Sequence, residues 1–260
     1  MRFFFIALII FVFMTESAYS FDTDLYSRIL KKYSYNGKKH GVSMTMVHYK
    51  RLTLAFKNPT SDISKLIRGM RTFNPNSLSS DTARIAFWIN AYNIGAMKLI
   101  AENYPVTSIR SFKINIFRNP WKKNIIMINN KWYSLHFIEH IILLGKYKRL
   151  DTHFAIVCAS VSCPELARIP YTVKNLNRLI NQQAQKFLND SKKGIKINKS
   201  KKIVYVSRIF KYDSKHFNKG KIVIIPFILK YIKNNEVKKY LESESFKIMF
   251  LNYNWSLNGW

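Results

Sequence analysis

The chain has 260 residues, of which 48% are hydrophobic and 15% aromatic, and its formal net charge is +29 at pH 7. The aromatic content is sufficient for a sizeable core, and the sequence shows neither an internal repeat nor a Gly/Ser/Pro-rich linker. These features exclude a repeat array and favour one domain, and no segment after the first twenty residues is apolar and long enough to span a membrane.

The first twenty residues have the pattern of a secretory signal peptide. Arg2 precedes an apolar run, Phe3–Met14, and the small residues Ala18 and Ser20 occupy the −3 and −1 positions of a cleavage site. The run is shorter than the roughly 20 residues that a transmembrane helix needs, although an uncleaved membrane anchor is the alternative. The sequence therefore predicts a signal peptide at 1–20, a mature domain at 21–260, and export to the periplasm or the exterior.

Positive charge is scattered along the chain in short clusters, such as Lys122-Lys123 and the run from Lys199 to Lys202. None of the clusters alternates with aromatic residues, so the sequence contains no specific nucleic-acid motif. Two interpretations stay open. The charge is compositional drift in a Lys-, Ile- and Asn-rich chain, or it attracts an anionic envelope polymer or membrane surface.

The predicted elements alternate between helices and short strands. In chain order they are amphipathic helices over 22–33 and 62–70, a long apolar helix over 80–103, a hairpin over 125–133, a helix over 135–144, a buried strand over 153–157, a helix over 176–188, a strand pair over 195–206, an apolar helix over 222–233 and a strand over 248–253. This order predicts an α+β domain in which a central buried helix packs on a small, mainly antiparallel sheet.

Two amides, Asn90 and Asn93, interrupt the long apolar helix and share one face because they lie three residues apart. A buried amide without partners costs roughly 1–3 kcal/mol, so both must bond to something. They hold a loop against the helix, or they belong to a site.

The segment from His136 to His140 reads H-x-x-E-H, the inverted zinc-hydrolase motif, with Glu139 as the base. The motif requires a further Glu ligand downstream, and no later Glu lies in an obvious helical ligand frame. We therefore predict no metal and no other cofactor. Adjacent residues of a regular helix diverge by about 100°, so Glu139 and His140 are not expected to point equally well at one small site.

Cys158 and Cys163 are the two cysteines of the chain, and they enter a turn after the predicted buried strand. In an exported protein, two cysteines five residues apart suggest a disulfide. The alternatives are a catalytic thiol activated by a nearby histidine, or two buried and inert cysteines.

A catalytic thiol would need a base and a group that orients the base. His140 and His153 are the candidate bases, and Glu139 or Asp151 would orient one of them. Spacing alone leaves the choice between the two histidines open.

Several blocks of the sequence occur in an order that is typical of one protein family. They read FWINAYNIGAMKLI over 87–100, SLHFIEHIIL over 134–143, HFAIVCASVSCPEL over 153–166, VSRIF over 206–210 and YNWSLN over 253–258. Tyr212 and Phe217 follow the fourth block. Together, across roughly residues 40 to 258, these blocks resemble the DUF547 family.

The resemblance implies an exported bacterial protein, because bacterial members usually carry signal peptides, and a family without an assigned function. By comparison with papain-like or transglutaminase-like proteins, it implies a site that collects Glu139, His140, His153 and one cysteine, with Asn90 nearby.

The chain departs from the family pattern at two places. His136 stands where the family usually has an acid, which makes the H-x-x-E-H spelling accidental. Asp151 is followed directly by Thr152 and His153 where the family tends to read Asp-Pro-Arg, so the shape of that loop is open.

Two function classes follow. The first is a cysteine-dependent hydrolase or acyltransferase that acts on peptide or amide bonds, with Cys158 or Cys163 as nucleophile, His140 or His153 as base and Glu139 as the orienting acid. Asn90 would be a polar supporter. The second is a non-catalytic envelope-binding or scaffold protein, held on anionic surfaces by its +29 charge and stapled by a Cys158–Cys163 disulfide.

Overall fold

A computed structural model describes residues 21–117, 119–243 and 245–260 of the chain. The predicted signal peptide at 1–20 lies outside these residues. Within the described ranges, no helix combines the length and the apolar character needed to cross a membrane.

Helices form most of the regular structure. The α-helices are α1 (Thr23–Tyr33), α2 (Tyr49–Lys57), α3 (Asp62–Thr72), α4 (Asp81–Asn103), α5 (Leu176–Leu188), α6 (Ile209–Tyr212), α7 (Ser214–Phe217), α8 (Lys221–Leu229) and α9 (Asn235–Glu242). Short 3-10 helices lie at Pro75–Ser77, Pro120–Lys122 and Leu150–Phe154, and a π-helix runs over Phe137–Lys146.

The strands lie in separate small sheets. They are β1 (Ser34–Lys39), β2 (Val42–Val47), β3 (Asn124–Ile128), β4 (Lys131–Ser134), β5 (Ile195–Asn198), β6 (Ile203–Val206) and β7 (Lys247–Phe250). The pairs β1–β2, β3–β4 and β5–β6 are antiparallel, whereas β7 runs parallel to β6. The predicted α+β class is confirmed, with the strands divided among small sheets rather than gathered in one.

Side-chain caps and a turn of two asparagines define several of these elements. Ser80 caps α4 by accepting a hydrogen bond from the Ala83 amide at 3.2 Å, and Ser134 accepts one from the Phe137 amide at 3.1 Å. Asn129 and Asn130 take positive φ angles of 48° and 56° in the β3–β4 turn. Asparagine tolerates this left-handed backbone, so the hairpin forms as predicted.

The predicted strand over 153–157 is wrong. His153 lies in the 3-10 helix Leu150–Phe154, and the following residues form a turn and an extended loop without a strand partner. A short apolar run has no period that separates a strand from other buried backbone. The β1–β2 hairpin, conversely, was not predicted from the sequence.

The helix α4 is central, as predicted. Nearly every residue from Ile85 to Ala101 is buried. At Gly95 an added Cβ would lie 3.1 Å from Leu135 and 3.4 Å from Ile125, so this glycine lets the β3–β4 hairpin approach α4 closely. The buried residues of α4 and of the β3–β4 hairpin belong to the same apolar cluster, which is the largest in the described part of the chain.

A second apolar cluster lies around β5, β6 and α8. The helix α5 joins the two, because Leu179 and Ile180 pack in the larger cluster while Phe187 and Leu188 pack in the second. The segments that form the candidate site come from both sides of this junction.

Candidate functional site

An open cavity of about 400 Å³ lies where the π-helix, the loop over 155–167, the α6–α7 region and the C-terminal segment over 253–260 meet. We call the loop over 155–167 the cysteine loop. The cavity is lined by Tyr92, Arg110, Asn119, Trp121, His136, Glu139, His140, His153, Ile156, Cys158, Cys163, Pro164, Ile209, Tyr212, Asp213, Tyr253 and Trp255. The structure therefore brings together five of the six predicted site residues.

Asn93 fixes the start of the cysteine loop. Its Nδ2 donates to the Ala155 carbonyl at 3.0 Å, and its Oδ1 accepts from the Val157 amide at 2.9 Å. The loop therefore leaves the core at a fixed point, one residue before Cys158.

Asn90 makes an equivalent pair of hydrogen bonds, in this case to the backbone of Tyr171. Its Nδ2 donates to the Tyr171 carbonyl at 2.8 Å, and its Oδ1 accepts from the Tyr171 amide at 3.0 Å. Asn90 is fully buried and does not line the cavity. Its predicted role as a polar supporter of the site is therefore corrected: both amides hold loops against α4.

The C-terminal segment fixes the middle of the cysteine loop. The Asn258 amide donates to the Ala159 carbonyl at 3.0 Å, while the Asn258 side chain accepts from the Tyr49 hydroxyl at 2.8 Å. Ala159 has a φ of +60°, a left-handed conformation that costs an alanine about 1–2 kcal/mol. Such strain persists only where the surroundings hold it, and here the strained residue lies in the loop between Cys158 and Cys163.

Cys158 and Cys163 are both free thiols, so the disulfide alternative is not formed in this structure. The Cys158 amide donates to the Cys163 sulfur at 2.9 Å. The Cys158 sulfur lies 3.2 Å from the Tyr253 hydroxyl and 3.5 Å from the Ser160 hydroxyl.

These contacts distinguish the two thiols. Side-chain hydrogen bonding with Cys163 lowers the pKa of the Cys158 thiol, and hydrogen bonding with Ser160 and Tyr253 adds to this effect against the opposing effect of burial. Burial raises the pKa of the Cys163 thiol well above its usual range, and neighbouring Cys158 raises it further. Cys158 is therefore the more acidic of the two thiols, and the side-chain interaction with Cys163 makes the largest contribution to this acidity.

His153 is held by carboxylates on both sides. Its Nε2 lies 2.7 Å from Asp213 Oδ2, and its Nδ1 lies 3.6 Å from Glu139 Oε1. His216 places Nδ1 2.9 Å from both oxygens of Asp213. Burial alone would raise the pKa of Asp213, but the hydrogen bonds and charges of His153 and His216 lower it to about 2.

Glu139 is the less acidic member of this cluster. Burial raises the pKa of its carboxyl, and nearby Asp213 adds to the rise, while His153 and Tyr92 oppose it. The Tyr92 hydroxyl lies 3.3 Å from Glu139 Oε2. The cluster therefore contains one firmly ionised carboxylate and one carboxyl whose pKa lies closer to neutrality.

His140 differs from His153 because its ring makes no hydrogen bond to the residues that the structure describes. Its ring centroid lies 4.5 Å from that of His136. Burial, and then the neighbouring His136, lower the pKa of His140 to about 4. At neutral pH the ring is uncharged and offers a lone pair to a ligand in the cavity.

Glu139 and His140 both line the cavity although they are adjacent in the chain, contrary to the expectation from a regular helix. The segment is a π-helix, in which the Tyr147 amide bonds to the Ile142 carbonyl five residues earlier. This wider winding changes the angle between neighbouring side chains. Across the described ranges, no group of three or more His, Cys, Asp or Glu side chains is placed to hold a metal ion.

Sequence reasoning missed Asp213, Tyr253 and Tyr92 as site residues. Asp213 follows Tyr212, and Tyr253 opens the YNWSLN block, so both lay in or beside recognised blocks. Their contacts with His153 and Cys158 join positions 60 and 95 residues apart, which no local pattern shows.

The comparisons with known proteins concern the central part of the chain. Residues 75–188 match the model of the family described as "Protein of unknown function, DUF547". This segment contains α4, the π-helix, the cysteine loop and α5, whereas Asp213 and Tyr253 lie beyond it. Neither the curated proteins nor the solved structures gave a match. The segment 75–188 is therefore similar to the DUF547 family, which agrees with the resemblance seen in the sequence.

Proposed function

We propose that this protein is a cysteine-dependent hydrolase or acyltransferase that acts on peptide or amide bonds, with Cys158 as its nucleophile. One observation carries the proposal. A free thiol whose pKa is lowered by three hydrogen-bonding neighbours lines an open cavity that also contains imidazoles and carboxylates. Thiolates, not thiols, are the nucleophiles in cysteine chemistry.

The carboxylate cluster supports a positioning role for His153 and a proton-transfer role for His140. Both nitrogens of His153 face carboxylates, which hold the ring in place. His140 is neutral and has a ring nitrogen available to a substrate. Of the two candidate bases, the geometry therefore favours His140.

The chemistry balances with these groups and water. The Cys158 thiolate attacks the carbonyl carbon, and the resulting intermediate collapses with cleavage of the C–N bond. The departing amine takes the proton that neutral His140 accepted from the Cys158 thiol when the thiolate formed, and a thioester remains on Cys158. Water or an amine then attacks the thioester, returns a proton to His140 and releases the thiolate, which gives hydrolysis or acyl transfer respectively.

The same proposal includes export of the chain and cleavage after Ser20. Phe21, the residue after that position, packs its ring edge-on against Phe87 at 5.4 Å and lies near Tyr26 at 6.2 Å. Cleavage there would leave this core contact intact. Sequencing the N-terminus of the protein recovered outside the cytoplasm should give Phe21 first; an uncleaved chain recovered from the cytoplasm would contradict export.

The test of the activity uses p-nitrophenyl acetate, an activated ester that acylates reactive thiolates. Freshly reduced and desalted protein should release a stoichiometric burst of nitrophenolate and carry the acetyl group on Cys158, as located by mass spectrometry. Cys158→Ala should abolish the burst. Cys163→Ala, the matched control, should keep a slower burst because Cys158 loses its main hydrogen bond. A burst that survives in Cys158→Ala, or acetyl groups confined to lysines, would contradict the proposal.

A further inference from the structure

The outer part of the cavity has an aromatic wall formed by Trp121, Tyr212, Tyr253 and Trp255. The Trp255 ring lies 4.4 Å from Tyr253 and 5.6 Å from both Tyr212 and Trp121, measured between ring centroids. These rings form a continuous apolar surface beside Cys158.

Arg110 lies over this wall. Its guanidinium carbon is 5.0 Å from the centroid of Trp255, and the residue is exposed at the cavity. Among the residues that the structure describes, the guanidinium has no hydrogen-bond or ion-pair partner. Stacking on the indole of Trp255 orients the planar guanidinium of Arg110 and leaves its N–H groups available to a ligand.

The carboxylates of the cavity do not neutralise Arg110. Asp213 is bonded to His153 and His216, and Glu139 faces His153 and Tyr92. The positive charge of Arg110 therefore remains available to a ligand in the same cavity as the thiol.

We propose that Arg110, stacked on Trp255, is a subsite for a carboxylate of the substrate, whose apolar or planar part lies along the aromatic wall. The inference rests on the proposed function, because the same ligand must reach Cys158. It narrows the substrate class to acidic amides or peptides. The guanidinium fork matches a carboxylate bidentately and fixes its orientation relative to the thiolate.

The test compares two maleimides of similar size, neutral N-ethylmaleimide and anionic 3-maleimidopropionate, by their rates of addition to Cys158. Arg110→Gln should lower the ratio of the rate with the anionic reagent to the rate with the neutral reagent by roughly fivefold to tenfold. Lys65→Gln, which removes an exposed charge that does not line the cavity, should affect neither reagent.

An unchanged ratio of the two rates in Arg110→Gln would contradict the proposed carboxylate subsite but would not contradict the proposal that Cys158 is a reactive thiol. Failure of the wild-type Cys158 to react with either reagent would overturn the proposed function and the subsite with it. The two failures are therefore distinguishable.

An independent feature lies beside the cavity mouth, in the loop over 111–117 between α4 and the 3-10 helix Pro120–Lys122. Three large apolar side chains are exposed there: Phe112 is 58%, Ile116 70% and Phe117 82% accessible. Exposed bases, Lys113, Lys122 and Lys123, adjoin them. Clustered apolar side chains flanked by cations are typical of segments that enter the interface of an anionic bilayer.

We infer that this loop docks the protein on an anionic membrane surface, with Ile116 and Phe117 inserted among the lipids. Charge complementarity favours an anionic membrane as the partner of this loop, because the chain carries +29 overall and the loop contains no acidic residue. The neighbouring residues Arg110, Asn119 and Trp121 line the cavity, so docking would place its mouth beside the bilayer.

Co-sedimentation with lipid vesicles tests whether this loop binds an anionic membrane. Binding to phosphatidylglycerol vesicles should exceed binding to phosphatidylcholine vesicles, and Ile116→Ser with Phe117→Ser should reduce it by roughly tenfold or more. Ile222→Ser, which removes a side chain that is 77% exposed elsewhere, is the matched control and should bind as wild type. Equal losses in the two variants, or no preference for the anionic lipid, would overturn the inference.

Discussion

The sulfur of Cys158 and the hydroxyl of Tyr253 lie 3.2 Å apart, although 95 positions separate them in the sequence. Burial raises the pKa of Tyr253 well above the usual range, so its hydroxyl keeps its proton and can donate to the sulfur. Together with Cys163, Tyr253 makes Cys158 the more acidic of the two thiols. The C-terminal segment therefore contributes directly to the candidate site, outside the matched family segment.

Removal of this hydroxyl should weaken the thiolate. In Tyr253→Phe the ring remains, but a donor to Cys158 is lost, so the thiol pKa should rise and the alkylation rate at pH 7 should fall roughly tenfold, which corresponds to about 1.4 kcal/mol. The measurement is the pH dependence of iodoacetamide labelling at Cys158. Tyr212→Phe alters a cavity tyrosine whose ring packs edge-on against Tyr253, and whose hydroxyl makes no hydrogen bond to the Cys158 sulfur in the described part of the chain. An equal shift of the midpoint in both variants would contradict the specific role of Tyr253.

The two amides of α4 provide a second matched pair. Asn93→Ala and Asn90→Ala each leave a buried carbonyl and a buried amide without a partner, so each should lower the free energy of unfolding by roughly 2–4 kcal/mol. Only Asn93 holds the start of the cysteine loop. Asn93→Ala alone should therefore also slow alkylation of Cys158 in the folded protein, as measured beside urea unfolding. Equal slowing by Asn90→Ala would show that the effect is not local.

These amides also show what could be predicted from the sequence. Their helix was predicted within a residue at each end, because Ser80 and Pro105 mark its limits and its interior is continuously apolar. That each amide must find a partner followed from the cost of burial. The identity of the partners, at Ala155, Val157 and Tyr171, depends on tertiary packing.

The cysteine loop shows the opposite case. The blocks around His153 and Cys158 were recognised, but an apolar run predicted a strand where the chain forms a 3-10 turn. The divergence expected of Glu139 and His140 assumed regular helical winding, whereas a π-helix brings both to the cavity. Asp213 completes the cluster from a different part of the chain.

A buried ion cluster anchors the far end of the cysteine loop. Glu165 lies 3.2 Å from the Lys193 ammonium and 2.6 Å from that of Lys186, and the exposed fractions of the two lysine side chains are 1% and 55%. Lys193→Met should cost about 3 kcal/mol of unfolding free energy, because it leaves the Glu165 charge poorly compensated. Lys186→Met should cost less than about 1 kcal/mol. Urea midpoints that fall equally would contradict this difference.

The low pKa of His140 has a consequence for stability against pH. Its folded-state value of about 4 lies below the usual value of 6.5, so the unfolded state binds more protons between these limits. Stability from this group is present above pH 6.5 and is lost as the pH falls toward 4. His140→Gln should remove this loss. Between pH 7.5 and pH 5, the unfolding free energy of this variant should therefore fall by about 1–2 kcal/mol less than that of the wild type.

Urea unfolding at the two pH values checks this prediction. The histidines His48 and His136 also have lowered pKa values and remain in both proteins, so the difference isolates His140. Asp213 titrates below this window, because its pKa is lowered to about 2. Parallel pH dependence of the wild type and His140→Gln would contradict a neutral, half-buried His140.

The central claim is that Cys158 is a reactive thiol in an accessible cavity while Cys163 is its protonated neighbour. The most direct measurement is brief iodoacetamide labelling of the native protein, purified without reductant, with each cysteine located by peptide mass spectrometry. We expect Cys158 to be labelled first, with a midpoint below the ordinary thiol pKa, and Cys163 to be labelled slowly. A Cys158–Cys163 disulfide, faster labelling of Cys163, or two cysteines that react only after unfolding would contradict the claim.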